Sequence, residues 1–97
     1  MYVVRDIFQL KFGHYKDVKA LLDEASKNNM FASQSTWRYL TDFTGDGYRL
    51  IMEHNYKTLG DYEQEMMSMG KPEWQQWYAK FKEHVIGSNR EILKQVM

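Results

Sequence analysis

The segment from Pro72 to Ile86 constrains the fold of this chain most, because its large apolar side chains recur at helical spacing. These side chains stand at the intervals i, i+3, i+4, i+7 and i+11 of one helix face: Trp74, Trp77, Tyr78, Phe81 and Val85. Pro72 suits the first helical turn, and Gly87 suits the end of a helix. The pattern therefore predicts a helix over Pro72–Ile86, whose aromatic face either fills a core or lines a ligand pocket.

Three further segments alternate between apolar and polar residues, as β-strands do. The segment Tyr2–Phe12 is apolar at its even positions, except at Asp6. Two more predicted strands, Thr36–Thr44 and Tyr48–Lys57, are separated by Gly45-Asp46-Gly47, which is a hairpin signal.

The large side chains also predict the register of this hairpin. They occupy odd positions in its first strand and even positions in its second, so both sets share a face only if paired residue numbers sum to an odd value. A two- or four-residue loop, or a bulge, meets this condition. It predicts the pairs Phe43 with Tyr48, Tyr39 with Met52 and Trp37 with His54.

The other segments complete the order β-α-β-β-α-α-β. Helices are predicted over His14–Asn29 and Thr58–Met69, the second with Thr58 as its N-cap, and Met30–Ser35 forms a connection. Asn89–Val96 is the last predicted strand. We expect a single α+β domain over residues 1–97, with a four-stranded antiparallel sheet and helices on one face.

The sheet face opposite the large aromatic residues carries apolar side chains among charged ones. Val3, Ile7, Leu40 and Ile51 make this face too apolar for open solvent and too polar for a dry core. A second sheet packed against it would explain the mixture. The simplest prediction is a homodimer formed through the sheet faces.

The amino-acid composition limits the classes of partner, cofactor and cellular compartment that we expect for this chain. The 13 basic and 13 acidic residues balance, so we expect neither nucleic acid nor a membrane surface as a partner. The absence of cysteine excludes disulfides and thiolate chemistry. We expect no cofactor and no metal, because the three histidines show no ligand spacing. With no apolar run long enough for a membrane span and no signal peptide, a cytoplasmic protein is expected.

Three stretches resemble the dimeric α/β-barrel superfamily, and its NIPSNAP-like branch in particular. They are Leu10–Gly13 at the end of the first strand, Leu50–Tyr56 followed by Leu59–Tyr62 in the middle of the chain, and Phe81–Leu93 near its end. The resemblance implies a ferredoxin-like βαββαβ fold, here with an extra short helix before the last one, and two monomer sheets closed into a barrel. Members of this superfamily include cofactor-free monooxygenases and haem-degrading enzymes, whose ligands lie between sheet and helices.

Candidate site residues follow from the polar groups on the aromatic face. His84 and His54 are candidate acid–base groups, because imidazole exchanges protons near neutral pH, and Asp6 is a third. Structural or solvated roles are the alternative for all three, and His14 is given no role. The predicted wall of a substrate pocket consists of Trp37, Tyr39, Met52, Trp74, Trp77 and Phe81.

Three functions remain open at this point. The chain binds, or oxidises without a cofactor, a small hydrophobic or aromatic compound; it is a non-enzymatic dimeric structural or sensing module with a filled core; or it binds or degrades haem. Trp74 and His84 have a spacing similar to that of the haem-degrading relatives. Those relatives also use a first-strand asparagine, however, and this strand offers only Asp6 and Gln9.

Overall fold

The computed structural model describes residues 1–28, 37–68 and 72–97. The elements follow one another as β1 (Tyr2–Leu10), α1 (Tyr15–Lys27), β2 (Arg38–Thr41), β3 (Arg49–Tyr56), α2 (Leu59–Ser68), α3 (Pro72–Lys82) and β4 (Val85–Lys94). This is the predicted order. The predicted α+β, ferredoxin-like class with an antiparallel four-stranded sheet is confirmed.

The strands lie in the order β2-β3-β1-β4, and all three neighbouring pairs are antiparallel. In the β2–β3 pair, Tyr39 lies opposite Met52, as the odd-sum rule predicted. The same pair ends with Thr41 opposite Leu50. On β1, Asp6 lies between Met52 on one side and Arg90 on the other.

The β2–β3 connection is longer than predicted, and the predicted pair of Phe43 with Tyr48 is wrong. Residues 42–48 lie outside the strands. Tyr48 has a φ of 53° and Gly47 one of 82°, so the backbone turns into the left-handed region and leaves the ladder. A bidentate ion pair between Asp42 and Arg49 closes the loop, with its shortest contact at 2.8 Å.

The boundary between the last helix and the last strand also differs from the prediction. Helix α3 ends at Lys82 rather than Ile86, and β4 begins at Val85 rather than Asn89. The amides of Glu83 and His84 bond back three residues, which tightens the helix end, and Val85 then pairs with Leu10. Val85 continues the helical stripe in sequence, yet its branched side chain is equally suited to a strand.

The remaining boundaries shift little. Strand β1 ends at Leu10, two residues before the predicted end, and His14 precedes α1 as its N-cap. The predicted cap of α2 is confirmed, since the Asp61 amide donates to Thr58 Oγ1 at 3.1 Å. The predicted connection Met30–Ser35 and the predicted element ends at Asn29, Thr36 and Met69 lie outside the described residues.

The core forms where the helices meet one sheet face. Phe81 is fully buried and meets Phe8 of β1 edge-on, with ring centroids 4.9 Å apart. Trp77 stacks on Phe81 and is also buried, and its indole N–H donates to the carbonyl of Leu21 in α1 at 2.8 Å. Val18 and other α1 side chains fill the space between α1 and α3.

The opposite sheet face has no described helix over it. Leu40 and Leu93 remain 42% and 39% exposed there. In their midst Glu53 is buried, and its carboxylate accepts hydrogen bonds from Arg5 at 3.0 Å and from Arg38. Among the helices that the structure describes, none is long and apolar enough to cross a membrane.

Candidate functional site

A cavity of about 550 Å³ lies between the helix-covered face of the sheet and helices α2 and α3. The sheet and both helices contribute residues to its wall: Asp6, Phe8, Trp37, Tyr39, Met52, Met66, Trp74, Tyr78, Ser88, Asn89 and Arg90. The space therefore lies on the same side of the sheet as the core. Its volume falls within the range of about 300–1,000 Å³ typical of small-molecule pockets.

Stacked aromatic rings form two of its walls. On α3, Trp74 stacks on Trp77 and on Tyr78, with ring centroids 5.3 and 5.9 Å apart. On the sheet, Trp37 stacks on Tyr39 at 6.5 Å and on His54 at 4.9 Å. These flat apolar surfaces suit a flat, apolar ligand.

An ion pair supplies the polar part of the wall. Arg90 donates from Nε to a carboxylate oxygen of Asp6 at 2.5 Å and from Nη1 to the hydroxyl of Tyr62 at 2.6 Å. The Asp6 side chain is 15% exposed, and that of Arg90 is 49% exposed. Hydrogen bonding to Asp6 raises the pKa of Arg90 above its ordinary value, so the guanidinium stays charged. The Asp6 carboxylate, the exception among the apolar even positions of β1, is thus paired, as burial of a charge requires.

Two further groups have shifted pKa values. Burial raises the pKa of Tyr39 to about 12, so its hydroxyl stays protonated near neutral pH. Removal from water lowers the pKa of His54 below its ordinary value of 6.5, and the nearby Glu65 carboxylate, 3.8 Å from His54 Nδ1, opposes this only in part. His54 is therefore held in its neutral form near neutral pH.

The structure brings together five of the nine residues selected from sequence, namely Asp6, Trp37, Tyr39, Met52 and Trp74. Of the other four, Trp77 and Phe81 lie in the core, and His54 stacks on Trp37 without lining the cavity. His84 lies outside the helix on which it was placed, in the turn before β4. The predicted helical spacing of Trp74 and His84 therefore does not exist in the fold.

Sequence reasoning missed three β4 residues that border the cavity, Ser88, Asn89 and Arg90, because Ser88 lay outside the predicted strand Asn89–Val96 and no register of that strand with β1 was predicted. Once β4 begins at Val85, the pairing of Ser88 with Phe8 and of Arg90 with Asp6 places both on the face of the cavity. The register of β1 with β4, had it been anticipated, would have identified them.

His84 has a different partner from the one expected. Its Nδ1 lies 2.9 Å from Nδ1 of His14, and the rings are tilted against each other at a centroid distance of 5.2 Å. One ring nitrogen donates and the other accepts. Asp17, in the first turn of α1, lies 3.9 Å from His14 Nδ1. No sequence motif marks this cluster, since 70 residues separate the two histidines.

Solved structures with the same fold include proteins of two groups. A NIPSNAP family protein from Agrobacterium tumefaciens superimposes with a TM-score of 0.87 at 16% identity, over 98% of this chain and 92% of that chain. A NIPSNAP-like domain protein from Burkholderia xenovorans gives 0.86 at 14% identity, over 98% and 84% of the two chains. The resemblance seen in the sequence is therefore confirmed at the level of the fold.

The second group is related through a protein from Nitrosomonas europaea provisionally assigned as an antibiotic biosynthesis monooxygenase. It gives a TM-score of 0.71 at 14% identity, with both chains fully covered. No protein-family model matches this chain, and no curated protein matches it significantly. At these identities, the similarity defines a fold and leaves the function to the site.

Proposed function

We propose that this protein binds a small, flat hydrophobic or aromatic compound in the cavity between the sheet and helices α2 and α3. The observation that carries the proposal is the cavity itself, of about 550 Å³ and walled by stacked rings. A filled aromatic core, the alternative considered from sequence, would leave no such space between these layers.

The polar groups specify the ligand further. Asp6 and Arg90 lie opposite each other on β1 and β4, and Ser88 lies on the same face of β4. Together they offer a carboxylate, a guanidinium and a hydroxyl to one part of the ligand. The ligand we propose is an aromatic ring system that carries a hydroxyl or carbonyl group, with the rings between Trp74 and Trp37.

Filling the cavity tests this proposal. Ser88→Phe should place a ring in the space, whereas Ser26→Phe adds the same ring at an exposed position on α1. We expect polycyclic phenols or quinones to bind the wild type and Ser26→Phe, measured by isothermal titration, and to bind Ser88→Phe at least about tenfold more weakly. Equal affinity of both variants for every compound that binds would place the ligand elsewhere and refute the proposal.

A second candidate function is the cofactor-free oxidation of such a ligand. It is supported by the fold shared with the Nitrosomonas protein and by the Asp6 carboxylate in the cavity wall, which is placed to accept a proton from a bound phenol. Oxygen consumption with a compound that binds, abolished in Asp6→Asn while binding persists, is the expected result. Binding without oxygen consumption in the wild type would leave a binding protein and exclude this activity for that compound.

We also propose that the protein is a homodimer joined through the sheet face opposite the cavity. The support is the mixed face described above, where Leu40 remains 42% exposed. Leu40→Glu should convert the dimer into a monomer of 11.7 kDa by light scattering. Leu59→Glu is the matched control, because Leu59 is 47% exposed but lies at the start of α2. A wild type that is monomeric at micromolar concentration contradicts the proposal.

A further inference from the structure

We propose that His14, Asp17 and His84 form a binding site for a divalent transition-metal ion of the zinc type. One potential ligand atom from each residue lies within 4.8 Å of the other two, and the two imidazole Nδ1 atoms are 2.9 Å apart. Around a tetrahedral zinc ion with bonds of about 2.0–2.2 Å, ligand atoms are separated by about 3.3–3.6 Å. Small rotations of these side chains therefore bring all three ligand atoms onto one ion.

The backbone already holds the two histidines in place. His14 donates its amide to the carbonyl of Lys11 at 3.0 Å, and Lys11 donates its own amide to the carbonyl of His84 at 2.9 Å. The His84 amide bonds to the Phe81 carbonyl at 3.0 Å. A single residue, Lys11, thus connects the start of α1 with the turn after α3, so little ordering remains to be done when an ion binds.

The donor set indicates the kind of ion. Two imidazoles and one carboxylate suit Zn²⁺, Co²⁺ or Ni²⁺, whereas Mg²⁺ and Ca²⁺ require oxygen ligands. Both histidines are half-buried and Asp17 is exposed, so an ion reaches the site from solvent. Three protein ligands leave one position of a tetrahedral ion open to water. The ion replaces the hydrogen bond between the rings: the ring whose Nδ1 donated transfers its proton through solvent to its own Nε2, so that both Nδ1 atoms can bind the ion and both rings carry the proton on Nε2.

This site is separate from the cavity, since none of its three residues lines that space. An ion held there joins the first turn of α1 to the segment between α3 and β4. Because the unfolded chain does not bring His14 and His84 together, binding favours the folded state and raises the unfolding temperature, by an amount that grows with the logarithm of the free-ion concentration above Kd.

The test uses the full chain without an affinity tag, freed of metal by a chelator. Isothermal titration with Zn²⁺ should give one ion per chain, and Co²⁺ should produce the visible absorption bands of a low-coordinate site. We expect His14→Ala and His84→Ala each to weaken Zn²⁺ binding at least about tenfold. Asp17→Asn should weaken it as well, whereas Asp23→Asn, the same substitution six residues further along α1, should leave it unchanged.

A measurement on the wild type removes any dependence on how the variants fold. In imidazole nitrogen–proton NMR spectra, Zn²⁺ should move the signals of His14 and His84 and leave those of His54 in place, because His54 lies in a different part of the fold. The inference is overturned if the wild type shows no saturable binding of one ion, if the shifts centre on His54, or if folded His14→Ala and His84→Ala variants bind Zn²⁺ as tightly as the wild type.

Discussion

Replacing Phe81 by alanine, and separately replacing Trp74 by alanine, distinguishes core from cavity on a single helix. Phe81 is fully buried and touches Phe8 and Trp77, so its removal loses both burial and ring contacts. Such a substitution costs about 3–5 kcal/mol. A chain of 97 residues has a total stability of about 5–15 kcal/mol, so Phe81→Ala removes a large part of it.

Trp74 should matter less for stability, because one side of its ring faces the cavity. Its removal loses the stacks on Trp77 and Tyr78, each worth about 0.5–1.5 kcal/mol, and therefore about 1–3 kcal/mol in total. The same substitution should abolish ligand binding, whereas a folded Phe81 variant should retain it.

Urea denaturation followed by circular dichroism measures both effects. With an m-value of about 2 kcal/mol/M, the midpoint should fall by about 1.5–2.5 M for Phe81→Ala and by about 0.5–1.5 M for Trp74→Ala. An unchanged m-value ensures that the shifts report stability. If Trp74→Ala costs as much as Phe81→Ala, the ring is packed on all sides and the space beside it is closed. A shift below about 0.5 M for Phe81→Ala would contradict the core assignment.

Two further predictions concern pH and backbone strain. The folded state holds the pKa of His54 below 6.5, so just below that pH the unfolded state binds more protons than the folded state. The free energy of unfolding should therefore fall as the pH drops below 6.5. His54→Gln should reduce this dependence of the unfolding free energy on pH. A denaturation series from pH 8 to pH 5 that shows equal slopes for both proteins would disprove it. Gly13 has a φ of 80° with open space around it, so Gly13→Ala should cost about 1–2 kcal/mol through backbone strain alone. Gly87→Ala is the matched control, because Gly87 also has open space but no positive φ; equal stability of the two variants would remove strain as the cause.

The sequence predicted those parts of the fold in which one periodicity acts alone. Tyr39 and Met52 could be paired in advance, because a one-residue slip would have turned every large side chain of the hairpin to the wrong face. Thr58 could be identified as a cap from local chemistry. Both results depend on residues close together in the chain.

The predictions that failed concern features that depend on contacts between segments far apart in the sequence. Val85 satisfies a helical stripe and a strand equally well, and the choice is made by Leu10, 75 positions earlier, which pairs with it. That choice then decided whether Ser88 would belong to the strand, and the register of β4 with β1 placed Arg90 beside Asp6. The contact between His14 and His84 likewise results from the fold of the whole chain, and no local spacing in the sequence predicts it.

The position of β1 has a consequence for the nascent chain. This first strand becomes an inner strand of the sheet, between β3 and β4, so its two partners are synthesised well after it. Until Val85–Lys94 has left the ribosome, one long edge of an apolar strand has no partner, and such an edge invites pairing with other chains. We therefore expect chains that stop before Val85 to aggregate, even though the aromatic core that they encode is complete.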